Sequence, residues 1–220
     1  MHWKRARISH KKKQDPVTRE IKQADMEMLE IAAAVGEIDL KYLDESGFCM
    51  WCSPGYTYYP IGEQKRLEQT KRRGRRLSII GLFQPLVSFI YGLVIGSINS
   101  ESYIKMMENE AIQAEQELKS NGRIRVIIQD NGSIHKSLEV QEYWTKWESL
   151  GLYIFFLPKY CSEMNKIELE WQQLKKHEIS GQMFDDEIDL AYAVIDGIDA
   201  RGERNNYRTE RFKFNNHPSS

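Results

Sequence analysis

Residues 125–135 have the sequence RVIIQDNGSIH, and the predicted fold follows from how this stretch begins and ends. Its first half is a short run of β-branched apolar residues, which predicts a buried strand. The run stops at Asp130, and an asparagine and a glycine follow at once. Either these residues form only a tight turn, because asparagine and glycine accept left-handed backbone conformations, or Asp130 is a catalytic carboxylate at a strand tip.

The rest of the chain predicts an α/β domain around this strand. Apolar residues spaced by three and four indicate helices, and alternating or continuous apolar runs indicate strands. We expect helices at 18–35, 101–119, about 136–150 and from near 165, and strands at 38–44, 47–53, 77–83, 86–96, 123–130 and 152–158. Consecutive strands suggest an antiparallel meander, and the later alternation of strand and helix suggests parallel strands with helical crossovers. A mixed sheet flanked by helices is the simplest packing, with the continuously apolar last strand buried on both faces.

Changes in composition divide the chain into three parts. Residues 1–36 hold a basic arm and a linker helix, residues 37–200 hold the domain, and residues 201–220 form a polar, loosely ordered tail. The 220 residues suffice for one core, and 41% hydrophobic with 29% charged residues is ordinary for a soluble globular protein. A formal net charge of −1 argues against a surface that binds nucleic acid everywhere, but it is compatible with a local basic patch.

Cysteine usage and hydropathy favour a cytoplasmic protein. Three cysteines give no disulfide framework and suit a reducing compartment. Cys49 and Cys52 have the spacing of zinc ligands, but residues three apart in a strand point to opposite faces. Residues 77–100 lack charge, yet a Gln-Pro pair and glycines interrupt them, so we expect two buried strands rather than a membrane span.

Three acids stand at positions suited to a metal site. Asp44 ends the first predicted strand, Asp130 ends the central one, and Glu168 begins the last helix. Carboxylates gathered beside buried strands repel one another and lose hydration, and a divalent cation relieves both costs. Oxygen ligands suit Mg²⁺ or Mn²⁺, and two such ions can activate water and stabilise a leaving oxygen in phosphodiester chemistry.

Each acid also has a purely structural interpretation. Asp44 could lie in a hairpin turn, and Asn165 and Glu168 have the spacing of a capping box. His135 is either a structural histidine or a neighbour of the site. These alternatives stay open on the residues alone.

The three acids belong to three longer blocks, YLDESGF, VIIQDNGSIH and FLPKYCSEMNKIELEWQQLKK. Together these blocks resemble the catalytic domain of mariner-like bacterial insertion-sequence transposases of the DDE superfamily, over roughly residues 1–180. The third block is the most specific, because the family pattern there is similar to L-P-x-Y-S-P-x-L-N-P-I-E-x-x-W. The matching residues are Leu157, Pro158, Tyr160, Asn165, Ile167, Glu168 and Trp171 in the third block and Asp130, Asn131 and His135 in the second.

The resemblance implies an RNase H-like fold and a DNA transposase. It implies that Asp44, Asp130 and Glu168 are the catalytic, metal-binding acids, and that two Mg²⁺ or Mn²⁺ ions are the cofactors. The implied reaction is nicking at transposon ends, followed by attack of a 3′ hydroxyl on target DNA. The implied partners are transposon-end and target DNA and a second copy of the chain, in a bacterial cytoplasmic protein associated with the nucleoid.

The sequence departs from the family pattern near the third acid. Lys166 replaces the proline before Ile-Glu, and Cys161-Ser162 replaces Ser-Pro. Family members also carry helix-turn-helix modules before the catalytic domain, so we expect a catalytic half whose DNA-binding half is encoded separately or was trimmed away. These departures and the near-neutral charge motivate one alternative, a decayed or truncated remnant that only binds DNA or a partner chain. A second alternative is a general RNase H-like nuclease on the same fold, which would cut DNA without regard to transposon ends.

Two basic clusters are candidates for DNA contact. Residues 4–13 carry six positive charges and residues 71–76 carry five. Lysine and arginine on phosphates give affinity that does not depend on base sequence, although solvated loops have the same composition. Within a transposase-like domain we favour backbone contact by the second cluster. Its basic residues are Lys71, Arg72, Arg73, Arg75 and Arg76.

Overall fold

A computed structural model describes residues 13–51, 61–63, 66, 68 and 74–214. The described helices are α1 (Pro16–Ala34), α2 (Ser100–Asn121), α3 (Leu138–Ser149), α4 (Ile167–Gln173) and α5 (Glu187–Asn205). The described strands are β1 (Ile38–Phe48), β2 (Leu77–Gln84), β3 (Ser88–Ile95), β4 (Ile124–Gln129), β5 (Leu152–Phe156) and β6 (Arg208–Phe212). A π-helical segment, Leu174–Ile179, continues α4.

These strands form one mixed sheet in the order β5-β4-β1-β2-β3-β6. β1, β2 and β3 are antiparallel neighbours, whereas β4 lies parallel to β1, β5 parallel to β4, and β6 parallel to β3. The predicted meander followed by parallel strands with helical crossovers is therefore confirmed. The charge-free stretch from residue 77 forms β2 and β3, and no helix in the described ranges is long and apolar enough to cross a bilayer.

Side chains alternate along β1 and divide the interior into two cores. Tyr42 faces the core that α1, α4 and α5 cover, and Trp171 of α4 is buried there. Leu43 faces the opposite core, which α2 and α3 cover and where Trp147 is buried. The sheet is thus flanked by helices on both faces, as the sequence predicts.

Asp44 lies inside a strand rather than at its end, so the predicted break after Asp44 is wrong. β1 runs without interruption from Ile38 to Phe48. The reason is its unequal pairing: β4 pairs with β1 only as far as Tyr42, whereas β2 continues to pair with it through Phe48. The hairpin-turn interpretation of Asp44 is excluded for the same reason, and the strand predicted at 47–53 begins as a continuation of β1.

The loosely ordered tail predicted from residue 201 is also a misassignment for the part that the structure describes. α5 continues to Asn205, and residues 208–212 add the strand β6 to the edge of the sheet. Arg201 is held by Glu170 of α4, with Nη2 2.6 Å from Oε2. The polar residues of β6 face solvent, as an edge strand allows. The sequence of this strand is therefore as polar as that of a disordered tail.

β5 forms the other edge of the sheet and is not buried on both faces, contrary to the prediction. Its Tyr153 side chain is exposed, while Leu152 is fully buried. Part of its apolar surface is covered by cations: Lys22 Nζ lies 4.2 Å from the centre of the Phe155 ring, and Lys136 Nζ lies 4.2 Å from that of Phe156. The apolar residues of β5 therefore pack against long basic side chains as well as against the core.

Candidate active site

Asp44 and Asp130 lie on neighbouring strands at the same level of the sheet. The last parallel pair between β1 and β4 joins Tyr42 to Ile128, and each aspartate lies two residues beyond its member of that pair. β4 ends at Gln129, so Asp130 is the first residue to leave the sheet. The register alone therefore brings these two acids together.

Glu168 is brought to them by the seating of α4 on the sheet. Asn165 Nδ2 donates a hydrogen bond of 2.8 Å to the carbonyl oxygen of Leu43, the residue before Asp44. Gly81 pairs directly with Asp44, and a Cβ atom there would lie 2.8 Å from the ring of Trp171. A glycine at this place on β2 thus lets α4 approach closely beside Asp44.

Asp44, Asp130 and Glu168 are close enough for their charges to affect one another's pKa values. Burial raises the pKa of Asp44 to about 7, and the negative charges of Glu168, Asp130 and Glu45 contribute to the rise. Burial also raises the pKa of Glu168, opposed by a hydrogen bond from Ser162 and by the charge of Lys175. Raised carboxyl pKa values on β1 and α4, beside the end of β4, indicate a site that favours added positive charge.

Asp130 has a different environment, because His135 holds it. His135 Nδ1 lies 3.0 Å from Asp130 Oδ1, and its Nε2 lies 2.9 Å from Glu45 Oε1. The hydrogen bond from His135 lowers the pKa of Asp130. Burial disfavours the protonated imidazole, but the hydrogen bonds and charges of Asp130 and Glu45 outweigh it and raise the pKa of His135 to about 9. His135 is therefore a neighbour of the site, and Glu45 is a participant that sequence analysis missed.

The two interpretations of Asp130, a tight turn and a carboxylate held at a strand tip, are compatible. The backbone N–H of Gly132 donates a hydrogen bond of 2.8 Å to Asp130 Oδ1. Asn131 donates its side-chain amide to the carbonyl oxygen of Leu157. The turn therefore fixes the Asp130 carboxylate at the strand tip, while half of that side chain stays exposed.

The capping-box interpretation of Glu168 does not hold. The backbone N–H of Asn165 bonds to the carbonyl oxygen of Ser162 at 2.9 Å, so it does not need the Glu168 carboxylate. Lys166 occupies the N-cap position and lies 2.9 Å from Glu30 of α1. That ion pair gives the lysine, which replaces the proline of the family pattern, a local partner.

Two basic residues border the acids. Burial lowers the pKa of Lys175, and the carboxylates of Glu168 and Asp44 act against that fall. The Arg76 guanidinium lies over Gly47, where a Cβ atom would be only 1.9 Å from its Nε atom. The seven-residue interval from Glu168 to Lys175, two helical turns, was the sequence signal for a shared face.

Of the predicted DNA-contact cluster, only Arg75 and Arg76 fall within the described residues. The backbone N–H of Arg75 donates a hydrogen bond of 2.8 Å to Glu187 Oε1, and its side chain is largely exposed. Lys71, Arg72 and Arg73 lie outside the described residues, as does most of the basic arm at 4–13. Cys52 also lies outside them, so the pair of cysteines is not described as a unit.

The donor set fits hard divalent cations in its chemistry. Asp44, Asp130 and Glu168 supply carboxylate oxygens, which Mg²⁺ and Mn²⁺ prefer. In the part of the chain that the structure describes, no three histidine, cysteine, aspartate or glutamate side chains form a ready-made metal-binding group. The fit therefore rests on the carboxylate chemistry and on the raised pKa of Asp44, rather than on ligand geometry.

Comparisons with known proteins give the family and the fold of this chain. The family described as DDE superfamily endonuclease matches residues 39–191, whereas a search of functionally curated proteins found no match. The fold is that of the Mos1 mariner transposase. A Mos1 paired-end complex with Mg is 14% identical, with a TM-score of 0.65, over 93% of this chain and 61% of that one. A Mos1 paired-end complex with Mn is 15% identical, with a TM-score of 0.62, over 93% and 64%.

The isolated catalytic domain of Mos1 matches more of its own length. It is 12% identical, with a TM-score of 0.55, over 92% of this chain and 94% of that one. This chain thus spans less than two thirds of the first Mos1 structures but almost all of their catalytic domain. The mixed sheet flanked by helices is the RNase H-like fold that the sequence implied. With the family matched over more than half of its residues, the chain belongs to the DDE superfamily of endonucleases.

Proposed function

We propose that this chain is the catalytic domain of a DNA transposase, which nicks DNA at transposon ends and joins the ends to target DNA. The observation that carries the proposal is the coupling of Asp44 to the other two acids: burial raises its pKa to about 7, and the negative charges of Glu168 and Asp130 add to the rise. Membership of the DDE superfamily supports it, as does the fold shared with Mos1, which has been solved as a paired-end complex and as a strand transfer complex.

In this proposal Asp44, Asp130 and Glu168 hold two divalent cations, Mg²⁺ or Mn²⁺. Mos1 has been solved with each of these metals. When bound, such ions supply activation of the attacking oxygen and charge stabilisation at the leaving oxygen of a phosphodiester. The exposure of Asp130 leaves its carboxylate accessible from solvent, and the seating of α4 brings Glu168 to the same side as Asp44.

The residues around the acids have supporting roles. His135 and Glu45 orient Asp130, because both ring nitrogens of His135 are engaged within 3.0 Å. Lys175 and Arg76 offset the repulsion between the acidic site and the DNA phosphates. Arg75 extends this basic border, and we propose that it contacts the DNA backbone independently of sequence, as do Lys71, Arg72 and Arg73 of the same cluster in the sequence.

The proposal extends to the assembly and its place in the cell. Two transposon ends must be held together, as in the paired-end complexes of Mos1, and we propose a homodimer as the form that holds them. Recognition of the ends belongs to a helix-turn-helix half that accompanies this chain. The working location is the bacterial cytoplasm, on the nucleoid.

The test is cleavage of DNA carrying the inverted repeats that flank the reading frame. The chain, supplied with its DNA-binding half, should nick such DNA in the presence of Mg²⁺ and should not nick a duplex with scrambled ends. Asp130→Asn should abolish nicking, whereas Glu142→Gln, an exposed acid on α3, should leave it unchanged. Equal cutting of both duplexes would point to a general nuclease, and full activity of Asp130→Asn would rule out the proposed site.

A further inference from the structure

An apolar stripe runs along the outside of α1. Val17, Ile21, Met28 and Ile31 of α1, with Val35 at its C-cap, are between 57% and 67% exposed, which is unusual for five large apolar side chains in so short a stretch. With the exposed Ala24, they follow one another at intervals of 4, 3, 4, 3 and 4 residues. Over 18 residues, at 1.5 Å per residue, the stripe is about 27 Å long.

The opposite side of α1 is the side that holds the helix to the domain. Met26 is buried in the core beneath it, and Leu29 and Ala33 pack against the same core. The two basic side chains in the first half of α1 also turn toward the domain: Arg19 Nε lies 3.7 Å from Glu163, and Lys22 covers the Phe155 ring. The stripe therefore faces away from the described core, which α1 contacts through its opposite side.

The spacing of the stripe is that of a coiled-coil seam. A repeat of alternating three and four residues averages 3.5, and it keeps apolar residues on one line only when a second helix winds alongside. A helix that merely packs on its own domain needs one apolar face, and α1 has two. Contiguous exposed apolar surface of this kind is typical of sites that bind another molecule.

The charges that flank the stripe define the partner. The exposed flanking residues Glu20, Asp25 and Glu27 are acidic, occupying positions g, e and g of the heptad. A parallel pair of identical α1 helices would set Glu20 against Asp25 of the second copy, and a centred antiparallel pair would set Glu27 against its own equivalent. Acidic flanks likewise repel nucleic acid and anionic lipid surfaces.

We infer that α1 is a docking surface for another protein, which offers an amphipathic helix with apolar a and d positions and basic e and g positions. The inference does not depend on the proposed catalytic function, because the stripe lies on the outer face of α1 and uses none of the acids of the site. Complementary flanks fix both partner choice and register in such pairs.

A designed peptide probes this surface directly. The probe is a labelled helical peptide of three heptads, about 21 residues, with leucine at a and d and lysine at e and g. Its twin carries glutamate at e and g. Fluorescence anisotropy with the full chain should show the lysine peptide binding at least about 10-fold more tightly than the twin, with affinity that falls as salt rises.

Two sets of variants make the result specific. Ile21→Asp with Met28→Asp should weaken binding of the lysine peptide at least about 10-fold, because charge enters the seam. The matched control, Ile112→Asp with Leu138→Asp, places the same change on exposed apolar residues elsewhere and should leave binding unchanged. Glu20→Lys with Glu27→Lys should reverse the preference between the two peptides.

Other outcomes overturn the inference. Equal binding of both peptides, or no binding by the full chain, would show that α1 does not dock a helix with basic flanks. A dimer in analytical ultracentrifugation that Ile21→Asp with Met28→Asp dissociates would show that a second copy covers the stripe instead. Nicking activity serves as a separate readout, since the seam variants should retain it whether or not the peptide binds.

Discussion

His135 Nδ1 lies 3.0 Å from Asp130 Oδ1, and this contact connects the end of β4 to the acid that follows Asp44 in β1, since His135 Nε2 also reaches Glu45. The imidazole ring is buried against Tyr103, whose ring centre is 4.9 Å away. It therefore cannot turn away without losing packing as well as two hydrogen bonds. Asp130 is held in one orientation by a partner that does not itself need to touch DNA or metal.

The first prediction concerns this orientation. Glu45→Gln should lower Mn²⁺ affinity and Mg²⁺-dependent nicking by about 10- to 100-fold, as for other residues that orient metal ligands. Spectroscopic titration with Mn²⁺ gives the affinity, and urea unfolding shows whether the fold is kept. His135→Asn should act in the same direction.

If Glu45 has a purely structural role, the result differs. Glu45→Gln would then lower stability without changing the affinity of the folded fraction for Mn²⁺. Glu142→Gln, an exposed acid on α3, is the matched control and should change neither quantity.

The second prediction concerns stability and pH. The pKa of Asp44 is raised from 3.8 to about 7 in the folded protein, so its protonated form is favoured by folding, and stability is lost as pH rises from about 4 through 7. In metal-free protein at pH 8, Asp44→Asn should therefore increase the free energy of unfolding by roughly 1 to 4 kcal/mol. At pH 4 the gain should be much smaller.

Urea unfolding in the presence of a chelator, at both pH values, measures this gain. His135, with a raised pKa of about 9, also makes the wild type lose stability as pH rises from 6.5 through 9, so the comparison must be between variant and wild type at each pH. The same Asp44→Asn protein should fail to nick DNA. An equal or lower stability at pH 8 would mean that the acids do not repel one another as the structure indicates.

The third prediction concerns Lys175. Its ammonium group acts on Glu168 and Asp44, at the border where a phosphate must approach. Lys175→Ala should weaken binding to a nonspecific duplex and reduce the slope of log affinity against log salt by about 1, the value for one phosphate contact. Lys175→Arg should retain the slope. Lys119→Ala, at the end of α2 where it pairs with Glu115, is the control and should leave both unchanged.

Local patterns were enough to predict the elements that carry two of the three acids. The apolar run before Asp130 and the apolar stripe of α4 beside Glu168 are signals contained within a few residues, and both lie where the sequence placed them. The antiparallel and parallel parts of the sheet also followed from the order of elements. What local pattern could not give was the end of a strand that depends on which neighbour continues to pair with it, as for Asp44.

Contacts between distant residues account for the rest. Glu45 and His135 are 90 residues apart, and the local sequence around each of them gives no sign that they are in contact. The strand β6 is polar on most of its length, so only its pairing with β3 distinguishes it from a loose tail. The outward stripe of α1 is hidden for the opposite reason: α1 carries two apolar faces, and the sequence does not show which of them the domain covers.

The last prediction concerns a buried charge network at the other end of β1 and β4. Arg125 is only 2% exposed, with Nε 2.5 Å from Asp39 Oδ2 and Nη1 2.8 Å from Glu110 Oε2. Lys41 Nζ also lies 2.7 Å from Glu110, whose other carboxylate oxygen is buried and has no hydrogen-bond partner among the described residues. The network therefore joins β1, β4 and α2 through charges that water cannot reach.

Arg125→Met should lower the free energy of unfolding by about 3 to 5 kcal/mol, because it leaves buried carboxylates without their main counter-charge. Arg123→Met, two residues earlier and only half-buried, is the matched control and should cost less than about 1 kcal/mol. Urea unfolding at neutral pH measures both. A loss below about 1 kcal/mol in Arg125→Met would instead show that the buried network contributes little to the stability of the fold.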